Sequence, residues 1–356
     1  MIQPQSRPNP MPEPAHSLAK VNESGILILL TCALAWDDIN EMRSATMKAK
    51  KLGHAGFDIS NITFGCWELG GGPWEFTNDQ NNIELIRKAF ELGITTFDTA
   101  EGYGNGHSEE IVGAALADIR KQCIITTKVS RSNLAPQDVR RSAENSLNRL
   151  KTDYIDVYYI HWPSFEIPVQ DTLDEFVKLK EEGLIRAIGV SNFSLEQLKE
   201  AVNYAQIDVI QPEYSLLHRA IEPEILPFCL EHNIGVMSYS SIAKGILTGA
   251  FHLHGKALKE GDFRKERRLF LPEHLEAEKE LLAVMKEMAD AKDANVTQIA
   301  IAWLLHQEAL TSAIIGTQDE HHLENNIKAA SLSLSASELA TLNTVSDRVL
   351  SVIGYT

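Results

Sequence analysis

Cysteine is scarce in this chain: Cys32, Cys66, Cys123 and Cys229 are the only four among 356 residues, widely spaced and without a CxxC pair. Neither a disulfide framework nor a zinc knuckle is indicated, and a reducing compartment, the cytoplasm, is expected. Basic residues are outnumbered, with 33 Lys and Arg against 49 Asp and Glu for a formal charge of −16. Such a surface repels a nucleic-acid backbone or an anionic leaflet, so neither nucleic acid nor membrane is expected as a partner. Long apolar runs are also missing, because the strongest, residues 25–36, is about half of the roughly 20 residues that a spanning helix requires. His306, His321 and the pair His252/His254 lack the carboxylates and spacing of a metal site, so no metal is expected. No self-similarity at a fixed period suggests a solenoid.

What the chain does contain is 44% hydrophobic residues, enough for one large core, which at this length suits one α/β barrel or two smaller domains. Residues 1–24 are rich in Pro, Ser, Asn and Gln, and Met47 opens a better beginning. Residues 1–46 are therefore read as an extension outside the folded domain, which is taken as 47–356.

After Met47, short β-branched apolar runs alternate with amphipathic stretches, the pattern of parallel strands joined by helices. Strands are predicted at 61–65, 95–98, 123–128, 155–161, 187–190, 209–211, 235–239 and 313–315. Helices are predicted at 81–92, 108–119, 136–150, 172–182, 195–205, 222–232, 276–291 with 297–306, and 320–330. Ser194 with Gln197 and Ser335 with Glu338 read as capping boxes, the second starting a final helix at 335–345. Eight right-handed βα units close into a single (β/α)8 TIM barrel. Residues 50–59 read as a β-hairpin plugging its bottom, and 251–271 as a long loop over a ligand.

Reactive side chains of such barrels stand at the C-terminal ends of strands. Asp98, Lys128 and His161 each end an apolar run, and Tyr103 follows Asp98 in a glycine-rich loop. A lysine beside a tyrosine hydroxyl lowers its pKa, and a carboxylate holds the ammonium in place. The phenol can then protonate a carbonyl oxygen while a histidine orients the substrate. Trp67, Trp74 and Trp162 are candidates for the apolar walls around a small carbonyl substrate. Ser191, Asn192 and Gln211 end the fifth and sixth strands with groups able to bind a carboxamide, and Tyr239 ends the seventh with a face for stacking.

The segments Phe97-Asp98-Thr99-Ala100-Glu101-Gly102-Tyr103-Gly104, Thr127-Lys128 and Tyr159-Ile160-His161-Trp162-Pro163 occur in an order and spacing that resemble the aldo-keto reductase superfamily. The resemblance runs from about Lys48 to Asp347. It implies an NAD(P)H-dependent oxidoreductase with Tyr103 as proton donor, Lys128 and Asp98 as its tuning pair, and His161 orienting substrate. It places Gly65, Cys66 and Trp67 against the cofactor, and Ser191, Asn192 and Gln211 on the nicotinamide amide. Ser240, Ile242, Lys244 and Gly245 are placed along the pyrophosphate. Gly316, Thr317, Gln318 and His322 are placed at the adenosine phosphate, where a helix N-terminus offers N–H groups, and Asn325 and Asn326 near the adenine.

The chain departs from that pattern where cations for a 2′-phosphate are usual, since Gln318 and His322 stand there. The preference between NADP(H) and NAD(H) is therefore open, with Lys244, Arg264, Lys265, Arg267 and Arg268 as possible substitutes. Two other readings compete. A nucleotide-binding auxiliary subunit would keep the barrel with little turnover, and a Schiff-base aldolase barrel would use Lys128 covalently.

Overall fold

Strands covered on both faces are built largely from apolar residues, and the eight apolar runs meet that condition, with polar residues such as Asp98, Lys128 and Gln211 gathered toward the strand ends. The computed structural model describes residues 47–71 and 78–354; the extension assigned to residues 1–46, and Trp74, lie outside the described residues. The hairpin comes first, with β1 (Ala49–Lys51) antiparallel to β2 (Asp58–Ser60). Then follow β3 (Ile62–Gly65), β4 (Thr96–Asp98), β5 (Ile124–Val129), β6 (Ile155–Ile160), β7 (Ile185–Ser191), β8 (Val209–Gln211), β9 (Gly235–Ser238) and β10 (Ser312–Gly316). Neighbours pair in parallel, and β10 returns to β3 from Ala313↔Ile62 to Gly316↔Gly65, so the sheet is a closed barrel of eight strands.

The helices are α1 (Asp79–Glu91), α2 (His107–Leu116), α3 (Pro136–Leu150), α4 (Val169–Glu181), α5 (Leu195–Ala201), α6 (Ile225–Glu231), α7 (Pro272–Ala291), α8 (Val296–Leu305), α9 (Glu320–Lys328) and α10 (Ala336–Ile353). Pro136 occupies the first turn of α3, where its missing N–H costs nothing. Both expected capping boxes form, at Ser194/Gln197 and Ser335/Glu338, and Asn295/Gln298 adds a third. Helix α5 is shorter than its pattern, and just beyond it the Asn203 amide donates to the Lys199 carbonyl. Helix α10 lies against α7 as additional C-terminal structure.

Two apolar layers result. One fills the space between strands and helices, while Val157, Tyr159, Ala187, Val209, Met237 and Ile314 fill the barrel itself. Leu52 and Ile59 of the hairpin join the inner cluster, and Gly53 packs so closely that a Cβ there would lie 2.2 Å from the Asp208 carbonyl oxygen. The hairpin thus closes the N-terminal end of the barrel, leaving the other end for chemistry.

At that other end, the chain after β9 bends through left-handed backbone at Ser240, Ala243, Lys244 and Gly245, with φ values of 51°, 50°, 52° and 97°. Three of these four are not glycine, and each costs about 1 kcal/mol or more, a strain that concentrates at ligand clamps. The segment continues through 3-10 turns at Phe263–Glu266 and Arg268–Phe270 before α7. Phe263 meets Trp67 edge-on at 5.8 Å, so this strap crosses from β9 to the end of β3. No helix among the described residues is long and apolar enough to cross a membrane.

Candidate active site

Side chains two apart on a strand share a face, so β5 aims Thr126 and Lys128 together into the barrel mouth. The Lys128 ammonium is fully buried and uses three donors: Asp98 Oδ2 at 2.7 Å, the Thr99 carbonyl at 2.7 Å and the Tyr103 hydroxyl at 3.3 Å. The other Asp98 oxygen accepts from Thr126 Oγ1 at 2.6 Å and from Gln211 Nε2 at 2.8 Å. Tyr103 owes its position to two glycines set back to back. Gly104 has φ of 59°, and a Cβ on it would stand 1.9 Å from the Gly70 carbonyl oxygen. His161 meets the Tyr103 ring edge-on at 5.7 Å.

The electrostatics qualify one expectation. Lys128 does pull the Tyr103 pKa down, but burial outweighs it and the net direction is upward, so the phenol keeps its proton. Burial alone would also lower Lys128, yet Asp98 and Tyr103 beside it hold the ammonium above the ordinary lysine value. His161 is pushed down to about 3 by burial and then by Lys128, which makes it a neutral imidazole at pH 7.

A cleft of about 1150 Å³ opens above this cluster. Asp98, Tyr103 and His161 line it, with Lys128 behind them. Trp67 and Trp162 form part of its wall. So do Gly65, Ser191, Asn192, Gln211, Tyr239, Ser240, Ile242, Lys244, Gly245, Gly316, Thr317, Gln318 and His322. Three expected cofactor residues do not. Cys66 is buried, its N–H donating to the Asp98 carbonyl and its carbonyl accepting from Ser108. Asn325 and Asn326 sit further along α9; Asn325 Nδ2 lies 3.0 Å from His321 Nε2, and Asn326 is buried.

Several groups assigned to a cofactor already have partners. Asn192 Nδ2 donates to the His161 carbonyl and to Ser191 Oγ, and its Oδ1 accepts from the Tyr239 hydroxyl. Gln211 Nε2 is on Asp98. The N-terminus of α9 is capped by Asp319, whose carboxylate accepts the His322 N–H at 2.8 Å. A carboxylate therefore stands where the helix end was expected to receive a phosphate. Of the possible substitute cations, Lys244, Arg264 and Arg267 line the cleft and Lys265 and Arg268 do not. Lys244 pairs with Glu213 at 3.0 Å and Arg264 with Asp262 at 2.7 Å.

Sequence reasoning missed Thr126, Thr99, Glu68 and Arg131. The period of two along β5 could have found Thr126 from Lys128. Glu68 carries no pattern; burial lifts its carboxyl to about 7 against the pull of Arg264. A Cβ at Gly316 would lie 3.2 Å from the Gly65 carbonyl oxygen and 3.4 Å from Glu68 Oε1, so the backbone there passes close to both. Among the described residues no cluster of His, Cys, Asp and Glu is arranged to hold a metal.

Known proteins resemble this chain in sequence and in fold. Residues 61–347 match the model of the aldo/keto reductase family. The chain is similar to the aldo-keto reductase YhdN of Bacillus subtilis (strain 168), 34% identical over 319 residues that cover 86% of this chain and 95% of that protein. It is likewise 34% identical to an NADH-specific methylglyoxal reductase of Escherichia coli (strain K12), over 83% of this chain and 97% of the other. Among solved structures, a thermostable aldo-keto reductase, Tm1743, crystallised with the inhibitor epalrestat, superposes with a TM-score of 0.72 at 34% identity, covering 84% of this chain and all of that one, 100%. With its motifs, closed barrel and matched span taken together, this chain belongs to the aldo/keto reductase family.

Proposed function

We propose that this protein reduces an aldehyde or ketone to an alcohol with NAD(P)H, in a reducing, cytoplasmic setting. The observation that carries the reading is the Tyr103 hydroxyl opening on the cleft while hydrogen-bonded to a buried ammonium at 3.3 Å. A carbonyl oxygen placed against Tyr103 and His161 receives the phenol proton, and the phenolate left behind is stabilised by Lys128, itself neutralised by Asp98. His161, neutral, offers an N–H to the same oxygen without competing as an acid. A reduced nicotinamide, held against Tyr239, Ser191 and Gln211, would supply the hydride for the carbonyl carbon.

The cleft's remaining features fit such a cofactor. Tyr239 offers a ring face, Ser191 and Gln211 offer polar groups, and Gly245 and Gly316 leave bare backbone for a close approach. The strained turn Ser240–Gly245 and the strap bring Lys244, Arg264 and Arg267 for phosphates. Glu68 and Asp319 lie among the same lining residues, and Gln318 and His322 bring no guanidinium. That acidic company favours a dinucleotide without a 2′-phosphate, or weak discrimination between the two. Buried Cys66, Cys123 and Cys229, all free, suit a reducing compartment.

Steady oxidation of NADH or NADPH by the purified protein with 4-nitrobenzaldehyde is the expected result, followed at the nicotinamide absorbance. Tight cofactor binding without turnover on a panel of aldehydes and ketones would sink the reading and leave a nucleotide-binding protein.

A further inference from the structure

The substrate side of the cleft carries a cation that the reaction just described does not use. Three residues beyond Lys128, Arg131 opens the 3-10 turn Arg131–Asn133 and lines the cleft beside Ser130. Its guanidinium carbon lies 5.5 Å from the centre of the Trp162 ring and 5.2 Å from that of Phe165. Both rings are exposed, Phe165 to 84%. Among the described residues, no carboxylate comes within ion-pair distance of Arg131. The acidic side chain of the neighbouring loop, Glu101, is committed elsewhere, accepting from the Ser130 N–H at 2.7 Å and from Asn133 Nδ2 at 2.9 Å.

The contrast with the rest of the cleft is informative. Lys244 and Arg264 also line it and are paired with carboxylates, and Arg267, over the Phe263 ring at 5.9 Å, belongs to the strap, so Arg131 is the arginine contributed by the loop that follows Lys128. In a chain of net charge −16, an arginine on the cleft wall that rests on two aromatic rings is not the product of surface charge balance. A guanidinium resting on ring faces keeps its N–H edge available, and that edge matches a planar carboxylate with two parallel hydrogen bonds. Trp162, the residue after His161 in the chain, adds an apolar surface to the same cleft wall.

We propose that Arg131 makes the protein selective for carbonyl substrates that carry an anionic group, a carboxylate in the first place. The carbonyl sits at Tyr103 and His161, the intervening carbon framework lies along Trp162, and the carboxylate is held by Arg131. This inference rests on the carbonyl-reduction reading, and the same assay separates the two.

The probes are 4-carboxybenzaldehyde, its neutral methyl ester and 4-formylphenyl phosphate, each assayed for kcat/KM with wild type, Arg131→Gln and Arg131→Lys. The ester is intrinsically the more electrophilic aldehyde, so the acid-to-ester ratio is compared between proteins rather than read alone. One charge-assisted contact at a partly exposed site is expected to be worth about tenfold, so Arg131→Gln should lower that ratio about tenfold, chiefly through KM for the acid. Arg131→Lys should keep part of the preference, and raised salt should shrink it in wild type. A variant that folds poorly loses both rates together and leaves the ratio of its folded fraction readable. An unchanged ratio in Arg131→Gln overturns the proposal while carbonyl reduction stands. A stronger Arg131-dependent preference for the phosphate probe overturns the carboxylate assignment. No turnover of any probe overturns the underlying reading itself.

Discussion

At the scale of single residues, the site is a set of competing effects whose winner is decided by burial. A lysine beside a phenol is expected to lower its pKa, and Lys128 does so, but removal of Tyr103 from water outweighs it. The phenol is therefore an acid by circumstance, ready to give its proton only when negative charge develops opposite it. Tyr103→Phe should leave cofactor binding nearly intact and lower kcat by roughly a hundred- to ten-thousand-fold. Turnover within a few fold of wild type would remove Tyr103 from the mechanism. His161 supplies a pH test. Its folded pKa is pushed to about 3, below the ordinary value near 6.5, so the unfolded chain takes up a proton between these pH values and the folded one does not. Stability is thus lost as pH falls from about 6.5 toward 3, and His161→Gln should soften that loss when urea midpoints are compared at pH 7 and pH 5. In kcat/KM, protonation of His161 should produce no limb between pH 5 and 8.

At the scale of elements, all eight barrel strands were legible, because full burial forces continuous apolar runs and turn residues bound them. The predicted 209–211 coincides with Val209–Gln211, and most other strand ends differ by a residue or two. The helices were legible from amphipathic stretches between the strands, and two of their starts from caps, which act locally: Ser194/Gln197 and Ser335/Glu338 need no tertiary context. What sequence could not give was which groups would already be satisfied. Asn192 looked like a ligand for a carboxamide, yet its amide is shared among its neighbour Ser191 and two partners brought from other strand ends, His161 and Tyr239. The α9 N-terminus looked like a phosphate site until Asp319 capped it. The strap was readable as a loop and no further, since 3-10 turns lack a strong period. This element scale decides the dinucleotide. Gln318→Arg should tighten NADPH selectively, by about tenfold, the lower end for one charged contact because Glu68 and Asp319 compete for the new guanidinium. Fluorescence titration of NADPH and NADH against both proteins reads it. A wild type that already prefers NADPH a thousandfold would mean that Lys244, Arg264 and Arg267 hold the phosphate unaided.

At the scale of the whole molecule, the plugged end and the open end divide the labour, with the hairpin sealing one and the catalytic cluster facing the other. We propose that the folded unit begins at Met47, whose side chain packs on the main core. Deleting residues 1–46 should then leave activity intact and shift the thermal midpoint by no more than a few degrees. A loss of many degrees would place part of the deleted segment in the folded core. The burial of Lys128 has one more consequence, for the durability of the catalyst. An aldehyde is an electrophile that consumes free amines and thiolates, and on the proposed function the cleft would bring aldehydes close to a lysine. Here the amine is locked as an ammonium by Asp98, while burial pushes the Cys123 and Cys229 thiols up to about 12 and raises the Cys66 thiol as well. The lysine nearest the reacting carbonyl is therefore held in a form that cannot condense with it. After hours with excess aldehyde and borohydride, peptide mapping should find adducts on exposed lysines and none on Lys128; a reduced Schiff base there would expose a covalent chemistry that the fold was expected to suppress.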